Sequence, residues 1–201
     1  MSLNVLLCDD VAPTPWRNGA GLSRDLLHWP NGANGSNGSD WQARISVADI
    51  DVDSPFSVYA DAERWFAVVE GHGVRLRLPD GLRSVVANGP ALHFRGEDAP
   101  VCELIDGPTR DLNLMCRRGQ GHAHMRRAEV GVAFDEPATL RALFSADALT
   151  LSTGVGDIAT ATAVAPFTLV WTEGATGSWR IASTLTTPRA WWMTFEPVHR
   201  P

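Results

Sequence analysis

The sequence is built mostly from short apolar runs, separated by Gly, Pro, Asn and Asp. Turn-forming residues at this frequency interrupt helical periodicity and are typical of strand-rich sandwiches and barrels. The 44% hydrophobic share, with eight Trp and seven Phe, supplies the apolar volume for a folded core. The pattern therefore predicts an all-β protein, in which residues 138–147 form the one segment with a pattern suited to a short helix.

Residues 41–48 alternate most regularly between apolar and polar side chains. This period of two places Arg44 and Ser46 on one face of a strand and the apolar residues on the other. In a barrel, one face of each strand points inward. Arg44 and Ser46 are therefore predicted to supply a guanidinium fork and a hydroxyl to an internal site, and a solvent-facing Arg44 is the alternative.

Residues 65–69 and 74–78 form two further apolar runs, separated by Glu70-Gly71-His72-Gly73. Glycines in a short connection between two strands are a hairpin signal, because they adopt positive φ angles without strain. We therefore predict a β-hairpin here, with the apolar side chains of the second run facing inward and its two arginines facing water.

The strand pattern pauses at residues 119–121 and then resumes. The later predicted strands are residues 130–134, 149–152, 167–171, 178–181 and 191–195. Two strand-rich halves of similar length suggest an internal duplication, with a first domain at residues 1–118 and a mainly structural second domain at 119–201. Residues 30–40, rich in Asn, Gly and Ser, are predicted to form a mobile surface loop.

Charge and composition exclude several classes of function. A net charge of −6 does not suit a nucleic-acid partner, which requires a basic surface. All 17 basic residues are arginine, so no lysine is present to form a Schiff base. We expect no leader peptide and no membrane span, and we expect Cys8, Cys102 and Cys116 to be reduced thiols of a cytoplasmic protein.

A second polar segment is Pro15-Trp16-Arg17-Asn18-Gly19-Ala20-Gly21, which combines an aromatic, a cation and an amide within one turn-forming stretch. Its side chains suit a binding site, and an ordinary turn is the alternative.

A third polar segment is the strand at residues 111–116. Here Asp111, Asn113 and Met115 share one face. A buried Asp and Asn require partners, because unpaired buried polar groups are costly. An Arg–Asp pair within a purely structural network is therefore the alternative to a ligand site.

These segments also occur in a characteristic order. They are Trp16-Arg17-Asn18-Gly19, Arg44-x-Ser46-x-Ala48, Pro55-Phe56-Ser57, Arg64, Gly107-Pro108 and Asp111-Leu112-Asn113-Leu114-Met115. In this order and spacing they resemble the HutD/Ves family of bacterial proteins, over about residues 10–118. The resemblance implies a double-cupin (bicupin) fold of two small β-barrels, a cytoplasmic location, an association with histidine utilisation and a regulatory, ligand-sensing role. Carboxylates such as formylglutamate or urocanate are the ligands it implies.

Metal-binding cupins have an HxH motif followed by a Glu and a later His. The only HxH motif here is His122-Ala123-His124, which has no carboxylate at the corresponding spacing and is flanked by arginines. We therefore expect no metal and no other cofactor, and weak metal binding by this HxH is the alternative to a solvated loop. Nucleophile elbows and phosphate-binding loops are also absent from the sequence.

The main hypothesis is a metal-free protein whose first barrel binds a small carboxylate, with no catalytic residue. Arg44, together with Arg64 or Arg17, is predicted to pair with the anion, while amide and hydroxyl groups orient it. The predicted ligand-binding residues are Trp16, Arg17, Asn18, Arg44, Ser46, Phe56, Arg64, His93, Asp111, Asn113 and Met115.

Two other classes of function remain open. One is a cupin-type isomerase or hydrolase that acts on a small carboxylate, with His93 or Asp111 as the general acid or base. The other is an interaction module whose polar residues only hold the barrels together. A homodimer is compatible with each of these hypotheses.

Overall fold

The computed structural model describes residues 2–16, 19–30, 32–33, 41–155, 158–175 and 177–198. In this part of the chain the regular structure is almost entirely β, which confirms the predicted fold class. The helical elements described are two short 3-10 helices, Cys8–Asp10 and Gly96–Asp98. None of the described helices has the length and apolar character needed to cross a membrane.

The strands are numbered in chain order. They are β1 (Asn4–Leu7), β2 (Thr14–Pro15), β3 (Gly21–Trp29), β4 (Gly32–Ala33), β5 (Ala43–Ile50), β6 (Ser54–Pro55), β7 (Ala62–Glu70), β8 (Gly73–Leu78), β9 (Gly81–Val86), β10 (Leu92–Arg95), β11 (Val101–Leu104), β12 (Thr109–Arg117), β13 (Gly121–Arg127), β14 (Ala138–Ser145), β15 (Leu149–Val155), β16 (Ile158–Val164), β17 (Thr168–Ala175), β18 (Ser178–Ala182) and β19 (Ala190–Pro197).

The first half of the chain folds into a sandwich of two facing sheets, here called the first sandwich. Its large sheet has the order β10-β7-β12-β5-β3-β2, with β4 paired to β3, and its small sheet has the order β6-β11-β8-β9. Phe66 and Val68 of the large sheet pack against Val74 and Leu76 of the small one. This apolar contact closes one part of the space between the two sheets.

The second half forms another pair of facing sheets, here called the second sandwich. Its large sheet has the order β1-β17-β14-β19-β13, and its small sheet has the order β16-β15-β18. Leu143 and Trp192 of the large sheet pack against Leu151 and Trp179 of the small one. Two such sandwiches in one chain agree with the predicted double-cupin architecture.

The two sandwiches pack back to back through their large sheets. Leu112 and Leu114 of β12 share one apolar core with Phe144 of β14 and Met193 of β19. The apolar face of the large sheet in the first sandwich therefore faces the second sandwich. The opposite face, which carries Arg44, must point into the first sandwich, and this settles the orientation that alternation alone left open.

The first strand of the chain belongs to the second sandwich. Strand β1 pairs antiparallel with β17, with Asn4 opposite Trp171 and Leu7 opposite Thr168. The predicted boundary at residues 118 and 119 lies in the short turn between β12 and β13. The boundary itself stays a prediction, but the first few residues of the chain hydrogen-bond across it.

The helix considered for residues 138–147 is wrong. This segment forms β14, which lies between β17 and β19 in the large sheet. Leu140, Ala142 and Phe144 face the core between the sandwiches, while Leu143 faces the interior of the second sandwich. Because both faces are buried, apolar residues occur on both of them, and this hides the strand periodicity.

The hairpin predicted at residues 65–78 is also wrong. Strand β7 pairs with β10 and β12 in the large sheet, whereas β8 pairs with β9 and β11 in the small sheet. The chain crosses between the facing sheets at Gly71, which has a φ of 94°. The predicted inward face of β8 is nevertheless buried, and its two arginines are exposed.

Two smaller predictions have mixed outcomes, and one strand was missed. Residues 130–134 form only two isolated bridges, to Ile181 and Trp179, instead of a strand. Strand β16 was not predicted. Of the loop predicted at residues 30–40, most lies outside the described residues, and Gly32–Ala33 forms the short strand β4.

Candidate functional site

A cavity of about 570 Å³ lies at one end of the first sandwich. It lies between the polar face of the large sheet and the connection from β6 to β7. Its lining residues are Thr14, Pro15, Trp16, Ser23, Asp25, Arg44, Ser46, Ala48, Phe56, Ser57, Val58, Tyr59, Arg64, Asn113 and Met115. Seven of the predicted site residues are among them, namely Trp16, Arg44, Ser46, Phe56, Arg64, Asn113 and Met115.

Strand register explains why these residues meet. Met115 of β12 is directly opposite Arg44 of β5 on one side and Arg64 of β7 on the other. Asn113 is opposite Ser46 in the next row with the same orientation. Because alternate residues of a strand share a face, all five side chains point into the sandwich. The first sandwich therefore has polar groups at one end of its interior and an apolar core at the other.

Arg44 already has an ionic partner. Its Nε donates to Oδ1 of Asp25 at 3.0 Å, its Nη2 contacts the same oxygen, and its Nη1 donates to the Tyr59 hydroxyl at 2.9 Å. Burial by itself would raise the pKa of Asp25, but the neighbouring His28 and Arg44 together lower it below its usual value. The charge of Arg44 is therefore balanced within the protein. The predicted Arg–Asp network exists, but its carboxylate comes from β3 and not from Asp111.

Arg64 has no such partner among the residues that the structure describes. Its Nε and Nη2 both donate to Oδ1 of Asn113, at 2.9 and 2.6 Å, and its guanidinium lies 4.3 Å from the centre of the Phe56 ring. The ion pairs found among the described residues do not include Arg64, although its side chain is only 6% exposed. Burial lowers its pKa to about 10, so the group stays protonated at neutral pH. Arg64 is thus a buried cation whose protein acceptor is a neutral amide.

The wall of the cavity is aromatic and hydroxyl-bearing. Trp16 donates from its indole nitrogen to the Ser23 hydroxyl at 2.6 Å, and both side chains face the cavity. The Trp16 ring meets the Phe56 ring edge to face, with centroids 6.3 Å apart. These contacts fix two of the aromatic walls before any ligand is present.

Asp111 lies beneath the cavity and does not line it. Its side chain is completely buried, and the Thr109 hydroxyl donates to its Oδ2 at 2.8 Å. Within the described residues Oδ1 has no hydrogen-bond partner. Burial raises the pKa of this carboxyl to about 8, against the smaller opposing effects of Thr109 and Arg64. Asp111 was predicted to contact the ligand directly, but its side chain does not reach the cavity surface.

His93 is also placed away from the cavity. On β10 it is opposite Trp65, whereas its neighbour Phe94 is opposite Arg64 and points inward. The His93 ring stacks on Trp65 at 4.6 Å, and its Nε2 lies 2.9 Å from Glu63. Alternation along β10 therefore puts His93 on the outer side of the sheet. The other two predicted residues, Arg17 and Asn18, lie outside the described residues.

Sequence reasoning missed eight of the lining residues, and among them are Asp25 and Tyr59, the two hydrogen-bond partners of Arg44. Asp25 reaches it because β3 has an irregularity between Asp25 and Leu27, which shifts the register against β5. Tyr59 comes from the irregular connection before β7, where no periodicity reports the side-chain direction. Asp25 could have been proposed as a strand carboxylate, but its pairing with Arg44 depends on the shifted register.

The HxH motif lies on a strand and not in the solvated loop that was considered. His122 and His124 belong to the edge strand β13, and the His124 ring meets Trp65 at 4.8 Å. Glu196 is opposite His122 on β19. Within the residues that the structure describes, no group of three or more His, Cys, Asp or Glu side chains could hold a metal ion.

Fold and site together define a class: a double-cupin protein whose first sandwich has a polar, arginine-containing cavity. A family model described as HutD matches residues 8–188. The chain belongs to the HutD family.

Two sequence relatives are similar to this chain over their matching parts. An uncharacterised 21.2 kDa protein in the hutC 3′ region of Pseudomonas putida is 35% identical over 114 residues, which are 56% of this chain and 57% of the relative. Protein Ves of Cronobacter sakazakii is 31% identical over 124 residues, 60% of this chain and 65% of the relative. The chain therefore matches less than two thirds of the length of either relative.

Two solved structures have the same fold over nearly the whole chain. A conserved protein of unknown function from Pseudomonas aeruginosa PAO1 has a TM-score of 0.81 at 25% identity, with 98% of this chain and 100% of that chain covered. HutD from Pseudomonas fluorescens SBW25 has a TM-score of 0.80 at 23% identity, with the same coverage. The double-cupin architecture is thus common to these proteins.

Proposed function

We propose that the protein binds a small organic carboxylate in the cavity of the first sandwich, without a metal ion. The HutD family is linked to histidine utilisation, and we place the protein in the cytoplasm as a sensing or regulatory component of that pathway. Formylglutamate and urocanate are the ligands to test first. Both carry a carboxylate, and the cavity has room for either.

The observation that carries this proposal is the state of Arg64. A buried guanidinium without a carboxylate partner has lost most of its hydration. An anion that reaches it therefore forms strong charge-assisted hydrogen bonds with it. Asn113 occupies two of its N–H groups, but an amide oxygen does not neutralise the charge. In contrast, Arg44 is already neutralised by Asp25. Arg64, and not Arg44, is therefore the proposed anion-binding group, with Arg44 as a secondary contact.

Calorimetric titration with formylglutamate, urocanate and glutarate tests the proposal. Arg64→Gln should weaken binding of a carboxylate by about ten- to hundredfold, because charge-assisted hydrogen bonds contribute ~1.5–3 kcal/mol. Arg64→Lys restores the charge without the planar fork and should recover only part of this affinity.

Arg83→Gln is the matched control. Arg83 is exposed and paired with Asp80 on the surface, so this variant loses the same formal charge away from the cavity. Its affinity should equal that of the unmodified protein. If Arg64→Gln folds and binds these carboxylates with unchanged affinity, or if none of them binds the unmodified protein, the proposal is wrong.

The enzymatic alternative gains no support from the geometry. Its two proposed acid–base groups do not face the cavity, since His93 lies on the outer side of the sheet and Asp111 is sealed beneath the lining. General acid–base catalysis requires hydrogen-bond reach between the side chain and the substrate. Conversion of a ligand to product during the calorimetric titration would support the enzymatic alternative.

A further inference from the structure

Asp111 is a buried carboxyl with one unused oxygen. It lies on β12, two residues from Asn113 and on the same face, directly below the cavity. The Thr109 hydroxyl occupies Oδ2, and Oδ1 has no hydrogen-bond partner among the described residues. A buried oxygen in this situation is costly as part of a carboxylate and much less costly when it carries a proton.

The charged groups that act on Asp111 come from neighbouring strands. Arg64 on β7 favours the ionised form, and Asp49 on β5 disfavours it. Asp49 is held by Arg24 and Arg110 at the edge of the sandwich. Cys102 on β11 faces the same region, and burial raises its pKa to about 12, so the thiol is neutral. Arg64 is therefore the cation that an ionised Asp111 depends on.

An anion in the cavity would compete with Asp111 for this cation. Two negative charges that share one buried guanidinium repel each other strongly, because the interior screens charge poorly. The cheapest response is for the group with the higher proton affinity to become neutral. A ligand carboxylate has a pKa near ~4, whereas burial holds the pKa of Asp111 at about 8. The proton therefore goes to Asp111.

We propose that Asp111, under conditions where it is ionised in the free protein, takes up one proton from solvent when an anion binds beside Arg64. This inference rests on the proposed function of the cavity. The proton adds to the free oxygen Oδ1, and no other covalent bond forms or breaks. The positive charge of the proton offsets the negative charge of one bound carboxylate group, so the net charge of the site stays the same. Anion binding by the first sandwich is thereby coupled to pH.

Calorimetry with N-formylglutamate measures this coupling. Titrations at about pH 6.5 and about pH 9, each in two buffers of different ionisation enthalpy, give the number of protons taken up per ligand. The carboxylates of this probe stay ionised over the whole range. At the lower pH Asp111 is already protonated, so the uptake should be near zero. At the higher pH the uptake should approach one, and the affinity should fall by up to about tenfold per pH unit.

Asp111→Asn separates Asp111 from other sources of the proton. The amide keeps an oxygen for Thr109 and is neutral at every pH, so this variant should bind with no uptake at either pH and with nearly unchanged affinity at the lower one. If the variant keeps the uptake at about pH 9, the proton goes to another group, such as Arg64, and the inference is wrong. Binding without uptake by the unmodified protein at that pH would also overturn it, while leaving the proposed function intact.

Carbon-detected NMR of the aspartate carboxyls provides a second readout on the unmodified protein. One carboxyl should titrate near pH 8 in the free protein, and its midpoint should move upward with saturating N-formylglutamate. A set of aspartates that all titrate in the usual acidic range would refute the inference even if Asp111→Asn does not fold. Absence of binding at both pH values would overturn this inference and the proposed function together.

Discussion

Arg44 and Arg64 flank Met115 in one cross-strand row, yet they have different chemistry. Arg44 forms an ion pair with Asp25, whereas Arg64 donates its hydrogen bonds to the amide oxygen of Asn113. From the sequence, both residues are simply arginines on polar strand faces. The difference between them arises from partners on β3 and β12, so it is a property of tertiary structure.

The Arg44–Asp25 pair leads to a prediction about ligand affinity. Asp25→Asn keeps an oxygen for the Arg44 hydrogen bonds but removes the negative charge, so the cavity then holds two uncompensated guanidinium groups. Affinity for formylglutamate should rise severalfold, while the free energy of unfolding falls by about 1–3 kcal/mol, because a mostly buried guanidinium loses a partly exposed counterion. Calorimetric titration and urea unfolding measure the two effects.

Asp80→Asn is the control for Asp25→Asn. It removes one surface carboxylate from the exposed pair with Arg83 and should change neither quantity by more than a few tenths of a kcal/mol. A folded Asp25→Asn protein with unchanged or weaker affinity would show that Arg44 and Asp25 do not set the charge of the site.

Much of the cavity could be predicted from strand periodicity. Alternation puts Arg44 with Ser46 on one strand face and Asn113 with Met115 on another, and the resemblance to the HutD/Ves family puts the two pairs in one site. Periodicity does not say which face is inner or how strands pair, so the direction of Arg44 and the contribution of Asp25 could not be obtained. The position of His93 failed for a related reason: on a short strand, a shift of one residue exchanges inside for outside.

The connection from β7 to β8 joins the two facing sheets of the first sandwich. Here the chain leaves the large sheet and enters the small one within a few residues. A Cβ atom on Gly71 would lie 2.5 Å from the carbonyl oxygen of Pro108, and the φ of Gly71 is 94°. This crossing therefore needs glycine for two separate reasons: conformation and space.

Gly71→Ala should therefore destabilise the fold more than a substitution that strains only the backbone φ angle. Gly107 is the matched control, since its φ is 102° and an added Cβ would meet no atom within 4 Å. We expect about 1–3 kcal/mol for the strained φ in each variant and a further loss in Gly71→Ala, measured by urea unfolding. Equal losses in the two variants would contradict the close approach of Gly71 to Pro108.

The wrong hairpin and the wrong helix have a common cause, because both were predicted from local sequence alone. The hairpin signal at Gly71 and Gly73 described the local turn, but two strands joined by a tight turn need not pair when facing sheets compete for them. At residues 138–145 burial on both faces removed the alternation that identifies strands. The local pattern predicts most of the strands. The sheet to which each strand belongs depends on contacts between residues far apart in the sequence.

On the scale of the whole molecule, the two sandwiches are held together by the core between their large sheets. Leu114 and Ala67 of the first sandwich pack in one cluster with Phe144 and Trp171 of the second. In addition, β1 starts the chain inside the sheet of the second sandwich. Neither sandwich can lose its large sheet without exposing apolar surface of the other.

We therefore expect the protein to unfold in a single cooperative transition. Differential scanning calorimetry should give one peak whose calorimetric and van't Hoff enthalpies agree. Phe144→Ala, which opens the shared core, should lower the midpoint of that one peak and cost ~3–5 kcal/mol. Two resolved transitions, of which only one responds to Phe144→Ala, would contradict this coupling.

The proposed binding of a small carboxylate against Arg64 can be observed directly. The experiment is a crystal structure of the protein with N-formylglutamate. We expect a carboxylate within the cavity, with its oxygens at ~2.7–2.9 Å from the Arg64 guanidinium, and with the Arg44–Asp25 pair still formed. Ligand density elsewhere on the protein, or a ligand in the cavity whose carboxylates both avoid Arg64, would contradict it.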